Sequence, residues 1–321
     1  MSYEKQLYAI KKIAEKLGEI KNSSHAVILV SKDNVLLDAF ANLMIMQDVC
    51  GFAKKPCFEC ANCQKVTNGN AIDVEVFGEQ KNILVADSAK IVADSIVVPF
   101  EFEKKYFILK NFDKATEQAQ NKLLKVIEEP RSFDKFVLLT SNIDSVLPTI
   151  KSRVEIHRLP MLSKEEIFSV IKYENFSREA IKKSLDYCDG NLTKCLKILK
   201  DEDFFEMQQL AEKLVMFMQS SANMLEYSSE ILKFRGKIAD FLQILTEIFV
   251  NLLEIKYNAN QSADARQSQL SIIASKYSET AIVKILEQIN LAVSKLKSNL
   301  SQSEIVDNLL LKILEIKYLC K

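Results

Sequence analysis

Residues 25–43 read His25-Ala-Val-Ile-Leu-Val30-Ser-Lys-Asp-Asn34-Val-Leu-Leu-Asp-Ala-Phe-Ala-Asn-Leu43. Ala26–Val30 is an unbroken apolar run, as a strand buried on both faces requires, and a helical pattern starts near Val35. Strand, polar loop and helix in this order follow the plan of a phosphate-binding loop. Yet Ser31-Lys32-Asp33-Asn34 lacks the glycines that let backbone N–H groups approach phosphate oxygens, and it has no Gly-Lys-Ser/Thr ending. Asp33 would repel phosphate, and Lys32 alone makes no site.

The same alternation extends outward. Apolar runs recur at Val74–Phe77, Tyr106–Leu109 and Phe136–Thr140, with a shorter one at Val154–Ile156. Helical patterns lie near Val35, over about Ser88–Val98 and from Lys114 to Ile127. Together they predict a parallel sheet covered by helices. Residues 1–24 read as one amphipathic helix with Leu7, Ile10, Ile13, Ala14 and Leu17 on its apolar face. After Pro160 the pattern changes to three short helices near 163–173, 177–187 and 191–200. Beyond Asp201 everything reads helical. Ser301-Gln302-Ser303-Glu304 is a capping-box pattern opening a last helix with Ile305, Leu309, Ile313 and Ile316 on one face. The expected domains are 1–160 (α/β), 161–203 (small, helical) and 204–321 (larger, helical).

Bulk properties narrow the function. The 321 residues carry 43 basic and 43 acidic side chains, and 48% are hydrophobic. A chain that binds nucleic acid unaided usually shows a basic excess. No apolar stretch approaches the roughly 20 residues of a membrane span, and the N-terminus has no secretory pattern, so a cytoplasmic protein with no membrane role is expected.

Seven cysteines in such a compartment need a reason other than disulfides. Four of them stand together as Cys50-x6-Cys57-x2-Cys60-x2-Cys63. Paired Cys-x2-Cys spacing puts two thiolates on one side of an ion, and zinc takes four soft ligands in a tetrahedron. With four protein ligands the site is closed, hence structural. Free thiols, or a redox pair at Cys60 and Cys63, are the competing readings. Cys188, Cys195 and Cys320 are scattered and read as ordinary thiols.

A second ATPase element also fails. At the end of the Tyr106–Leu109 strand an ATPase carries Asp-Glu for magnesium and water. Lys110 and Asn111 stand there instead, and Asp113 comes too late, as a turn or cap residue. The next stretch keeps its form: Thr116 is a plausible helix cap, Ala119, Leu123 and Ile127 make a core stripe, and Pro130 ends it. Then follow Phe136–Asn142, a strand with a polar end, and Leu147-Pro-Thr-Ile-Lys-Ser152-Arg153-Val154.

These features resemble the clamp-loader branch of the AAA+ family, most closely its delta-prime group in bacterial DNA polymerase III. The resemblance rests on the cysteine cluster, the AQNKLLKVIEEP stretch, the TSN strand end and LPTIKSR at the family's Ser-Arg-Cys motif, over about residues 25–160. It implies a RecA-like sheet domain with a zinc module at 50–63, a three-helix lid and a helical collar used for oligomerisation. It implies that Arg153, with Ser152 beside it, acts in trans as an arginine finger on ATP held by a neighbouring gamma/tau motor subunit. Val154 departs from the family's cysteine. Asn142 matches a sensor position. In Gly190–Leu196, which resembles the second sensor motif, Thr193 stands where ATP-binding relatives place arginine. No ATP is then expected on this chain. The implied partners are gamma/tau and delta subunits and, through the assembly, the sliding clamp and primed DNA. Two other readings compete: a zinc-bearing nucleic-acid-binding or scaffold protein, and a gamma/tau-like ATPase.

Overall fold

Five strands carry the first half of the chain: β1 (Ala26–Val30), β2 (Val74–Phe77), β3 (Lys105–Leu109), β4 (Asp134–Thr140) and β5 (Glu155–Arg158). All pair in parallel, in the order β2-β3-β4-β1-β5. The computed structural model describes residues 2–20, 24–79, 81–217, 221–234, 236–257, 271–296 and 301–319. It divides into two units, Met1–Lys200 and Asp201–Lys321.

The central strands β1, β3 and β4 are buried at every residue, which is why they read as continuous apolar runs. β3 and β4 begin earlier than the apolar pattern, and a lysine near the start of each finds partners. Lys105 Nζ lies 2.9 Å from Glu75, and Lys135 Nζ donates to the Ser24 carbonyl at 2.8 Å. Strand alternation then feeds two cores. Val27, Leu29, Tyr106, Ile108, Val137 and Leu139 face one; Ala26, Ile28, Phe107, Leu109, Phe136 and Leu138 face the other. Phe107 and Phe136 stack with centroids 5.1 Å apart.

The first core is covered by α1 (Tyr3–Tyr8), α2 (Lys11–Ile20) and α3 (Asn34–Val49). The single helix expected over 1–24 is therefore two, with residues 1 and 21–23 outside the described residues. The chain turns at Ala9 and Ile10, where Ile10 N–H bonds the Leu7 carbonyl at 3.0 Å. Leu7, Ile13 and Leu17 are buried as the periodicity predicted.

The second core is covered by α5 (Val85–Asp94) and α6 (Glu117–Glu128); α4 (Ala61–Thr67) belongs to the cysteine segment. α5 starts before the expected Ser88, since Asp87 accepts the Leu84 N–H at 2.9 Å. It ends before the Ile96-Val97-Val98-Pro99 run. α6 starts after Lys114, capped by Thr116, which accepts from Ala119 N–H at 3.2 Å; residues 112–114 form a separate 3-10 turn. Ala119, Leu123 and Ile127 are its buried stripe.

α7 (Pro148–Lys151) leads into β5, and α8 (Lys164–Ile171), α9 (Arg178–Leu185) and α10 (Leu192–Lys200) follow in the same unit. Gly190 joins the last two with φ +74°, and a Cβ there would lie 2.7 Å from the Leu162 carbonyl oxygen, so glycine is required. Cys188 and Cys195 are buried thiols of this helical cluster; Cys320 lies outside the described residues.

The second unit contains α11 (Phe204–Phe217), α12 (Ser221–Ile231), α13 (Ile238–Tyr257), α14 (Glu279–Lys295) and α15 (Gln302–Leu319). Phe241, Leu245, Phe249, Ile285 and Ile313 are buried. Ile305 and Leu309 are buried with them, and Ile316 is partly exposed. Tyr277 donates to the Val215 carbonyl at 2.6 Å, and burial pushes its phenol well up. Among the described residues no helix is long and apolar enough to cross a membrane.

Candidate functional site

The four clustered cysteines come together. Cys50 ends α3, its N–H on the Met46 carbonyl. Cys57 and Cys60 sit in the turn before α4, and Cys63 lies in the first turn of that helix. Their four Sγ atoms lie within 4.8 Å of one another, the single such group of ligating side chains among the described residues. Cys57 and Cys63 are 3.9 Å apart. A tetrahedral zinc with bonds of about 2.3 Å separates its sulfurs by about 3.8 Å, so the thiols fit one ion with small shifts.

Backbone donors are aimed at the sulfurs. Cys57 Sγ accepts from Cys60 N–H (3.3 Å) and Glu59 N–H (3.5 Å), and Cys60 Sγ accepts from Cys63 N–H (3.5 Å). Such donors favour thiolate. The Glu59 and Cys60 donors pull Cys57 down to about 6, while burial pushes Cys63 up. The turn is held in place by Asn62, which donates to the Val49 carbonyl at 2.9 Å.

The second region lies beyond the C-terminal ends of β1 and β3, where open parallel sheets bind their ligands. It is filled by the chain's own charges. Asp33 caps α3, accepting Leu36 N–H at 3.1 Å. The same carboxylate caps α10, accepting Leu192 N–H (2.5 Å), Thr193 N–H (3.2 Å) and Thr193 Oγ1 (2.7 Å). Thr193 Oγ1 in turn accepts from Val35 N–H at 2.8 Å, and Asn191 donates to the Lys32 carbonyl at 3.0 Å. Two helix N-termini, each carrying partial positive charge, thus share one carboxylate that is 4% exposed. An incoming phosphate would need the donors that Asp33 already occupies.

At the end of β3, Lys110 Nζ lies 2.9 Å from both Asp38 and Glu79. Burial works against its charge, but Glu79 and Asp38 hold Lys110 above its ordinary value. Burial pushes Asp38 up against the pull of Lys110. One ammonium thus lies between two carboxylates. A cation is built in where an ATPase places acids for magnesium. Asn111 takes φ +51° and donates to the Gly78 carbonyl at 2.9 Å. Asp113 accepts from Thr140 Oγ1 (3.1 Å), Ser141 N–H (3.2 Å) and Ser141 Oγ (3.1 Å), so it ties the ends of β3 and β4 together as a cap. Asn142 accepts Asp144 N–H at 3.0 Å within its own turn.

Arg153 stands apart from both regions, after α7. Its Nε lies 2.5 Å from Glu128, the last residue of α6, and both side chains are 40% exposed. Its Nη1 donates to the Thr149 carbonyl (2.8 Å) and to Ser152 Oγ (3.1 Å). Ser152 Oγ bonds the Thr149 carbonyl at 3.1 Å. In the chain alone, then, Arg153 makes a surface salt bridge.

Sequence reasoning missed four partners: Thr193 for Asp33, Asp38 and Glu79 for Lys110, and Glu128 for Arg153. Asp33 before an apolar helix was a readable cap. Its bond to residue 193 was not, because nothing local encodes it.

Residues 5–163 match the family described as DNA polymerase III, delta subunit. A DNA polymerase III subunit gamma of Buchnera aphidicola from Schizaphis graminum is 28% identical over 205 residues, 61% of this chain and 56% of that one. A DNA polymerase III subunit delta' of Bacillus subtilis is 27% identical over 163 residues, 50% of this chain and 49% of that one. The chain thus spans about half the length of these two relatives. A solved gamma subunit-related protein of Thermotoga maritima is 19% identical with a TM-score of 0.49, covering 96% of this chain and 100% of that one, too distant to bear on function.

Proposed function

This chain belongs to the delta-prime clamp-loader family of DNA polymerase III subunits, and from that premise we propose that it works without ATP of its own. In this reading it is a fixed wall of the loader. It completes the ATP site of a neighbouring gamma/tau subunit with Arg153, and helps place the sliding clamp on primed DNA beside a delta subunit.

The observation that carries the reading is the carboxylate of Asp33, which takes up the donors of both α3 and α10. Lys110, paired with Asp38 and Glu79, supports it from the magnesium side. A gamma-like motor is the second reading, favoured by the gamma relatives. It requires phosphate where Asp33 sits and magnesium where Lys110 sits, and both charges have the wrong sign. Arg153 suits the trans role because its guanidinium is planar, permanently charged and 40% exposed.

In the same reading the four cysteines hold a structural zinc. When bound, the ion cross-links the end of α3 to the start of α4 and supplies no reaction chemistry. The helices from about residue 204 form the collar that joins subunits, and the site of action is the cytoplasm.

The test is ATP turnover by a loader reconstituted with gamma/tau, delta, clamp and primed DNA. Arg153→Ala is expected to cut the stimulated rate severely at equal assembly, because one arginine finger is worth on the order of 10³ or more in other phosphoryl-transfer sites. Unchanged turnover sinks the finger. Saturable micromolar binding of a fluorescent ATP analogue to the isolated chain sinks the ATP-free reading. Purified protein is expected to carry about one zinc per chain by metal analysis.

A further inference from the structure

We propose that Glu128 is the positioning residue of Arg153, holding the guanidinium in the orientation in which it meets the neighbour's ATP; this rests on the trans role proposed above. The geometry comes first. Arg153 hangs on three acceptors from two elements: Glu128 at the end of α6, and Thr149 and Ser152 of the α7 turn. The contacts take Nε and Nη1, so the plane of the guanidinium is fixed by a fork with known anchors. A flexible side chain held this way loses less freedom when it engages a ligand.

The second argument is local and independent. Glu128 closes α6, and Glu129 follows it as the C-cap. The C-terminus of a helix carries partial negative charge, so an acidic residue there is disfavoured. Lys125 is the only basic residue in that last turn. A position that breaks the local rule points to a duty elsewhere, and the group that Glu128 touches is the guanidinium.

An acid beside a finger has two opposing effects. It orients the arginine, and its charge opposes the γ-phosphate that the arginine approaches. Orientation dominates here because Glu128 binds through Nε, behind the terminal nitrogens.

The experiment uses the reconstituted loader and varies Glu128 in wild-type and Arg153→Ala backgrounds. Glu128→Ala is expected to lower the stimulated kcat on the order of tenfold with KM for ATP unchanged, since misorientation costs rate and not binding. Glu128→Gln, isosteric and still able to accept from Nε, is expected to keep at least about half of the rate. Glu128→Asp, charged but one methylene short, is expected to fall with Glu128→Ala, and it serves as the geometric test should Glu128→Ala not assemble. In the Arg153→Ala background, Glu128→Ala is expected to change nothing further. Wild-type turnover for Glu128→Ala and Glu128→Asp while Arg153→Ala is impaired overturns the positioning role and leaves the finger standing. A further loss from Glu128→Ala in the Arg153→Ala background overturns it too. An inactive-site reading of Arg153, with Arg153→Ala at full rate, removes both.

Discussion

The α/β unit holds charge in two contrasting ways. Around Asp33 the charge is buried and heavily paired, the carboxylate taking four donors, and at Lys110 a largely buried ammonium lies between two partly exposed acids. Around Arg153 the charge is at the surface, with one acid beside it. A buried charge cannot be left without its partners, because losing one costs the full desolvation of the other. A surface ion pair contributes little and is readily exchanged. The first arrangement closes a site and the second leaves one open. In the reading proposed above, the scaffold of a nucleotide pocket serves as architecture, and the charge left available is that of Arg153.

Breaking Asp33 is the severest test of that contrast. Asp33→Ala uncaps two helices and strands the Thr193 hydroxyl. Caps contribute about 1 kcal/mol each and charged hydrogen bonds about 1.5–3, so a loss of about 2–4 kcal/mol is expected. Hydrogen exchange in the full chain locates it: the Leu36, Leu192 and Thr193 amides should exchange on the order of a hundredfold faster, well beyond any change in β1. Protection unaltered at those three amides would mean that the carboxylate is decoration.

Lys110→Met comes next. It leaves Asp38 and Glu79 facing each other without their cation. Loss of one partner of a fully buried pair costs about 3–5 kcal/mol, and the exposure of this cluster (42% for the Asp38 and 66% for the Glu79 side chain) reduces the expectation to about 1–2. The pH profile carries a separate signature. The folded-state pKa of Lys110 is raised, so its contribution is complete below the ordinary lysine value and fades as pH climbs through the raised one. Wild-type stability should therefore fall on that alkaline limb, and Lys110→Met should remove this part of the fall. Identical alkaline limbs in thermal melts would show that the ion cluster is not coupled to folding.

This contrast was half legible in the sequence. The apolar runs announced the parallel sheet, since β1, β3 and β4 are buried at every residue. Thr116 and the Ala119, Leu123, Ile127 stripe gave α6 because caps and periodicity are local. The cysteines gave their cluster because Cys-x2-Cys spacing confines the sulfurs. The missing glycines announced what the pocket lacks. What fills it was not legible, since Asp33 meets Thr193 across 160 positions of chain. Nor was the break at Ala9–Ile10, where the apolar periodicity runs on uninterrupted while the backbone turns.

Arg153→Ala has the smallest expected effect on the chain itself, and that makes it the sharpest discriminator. The guanidinium is 40% exposed, its acid equally so, and the two backbone and hydroxyl contacts are at the surface. Exposed pairs contribute about 0–1 kcal/mol, and relief of crowding between Glu128 and the α6 C-terminus is lost as well. A loss below about 1 kcal/mol is expected, a shift of a few degrees at most in the melt of the full chain. If the melt instead falls as far as for Asp33→Ala, Arg153 is a structural residue. Any change in loader turnover would then reflect a damaged wall. A stable variant with slow turnover separates the two kinds of charge: one set maintains the fold, and the other acts on a neighbour.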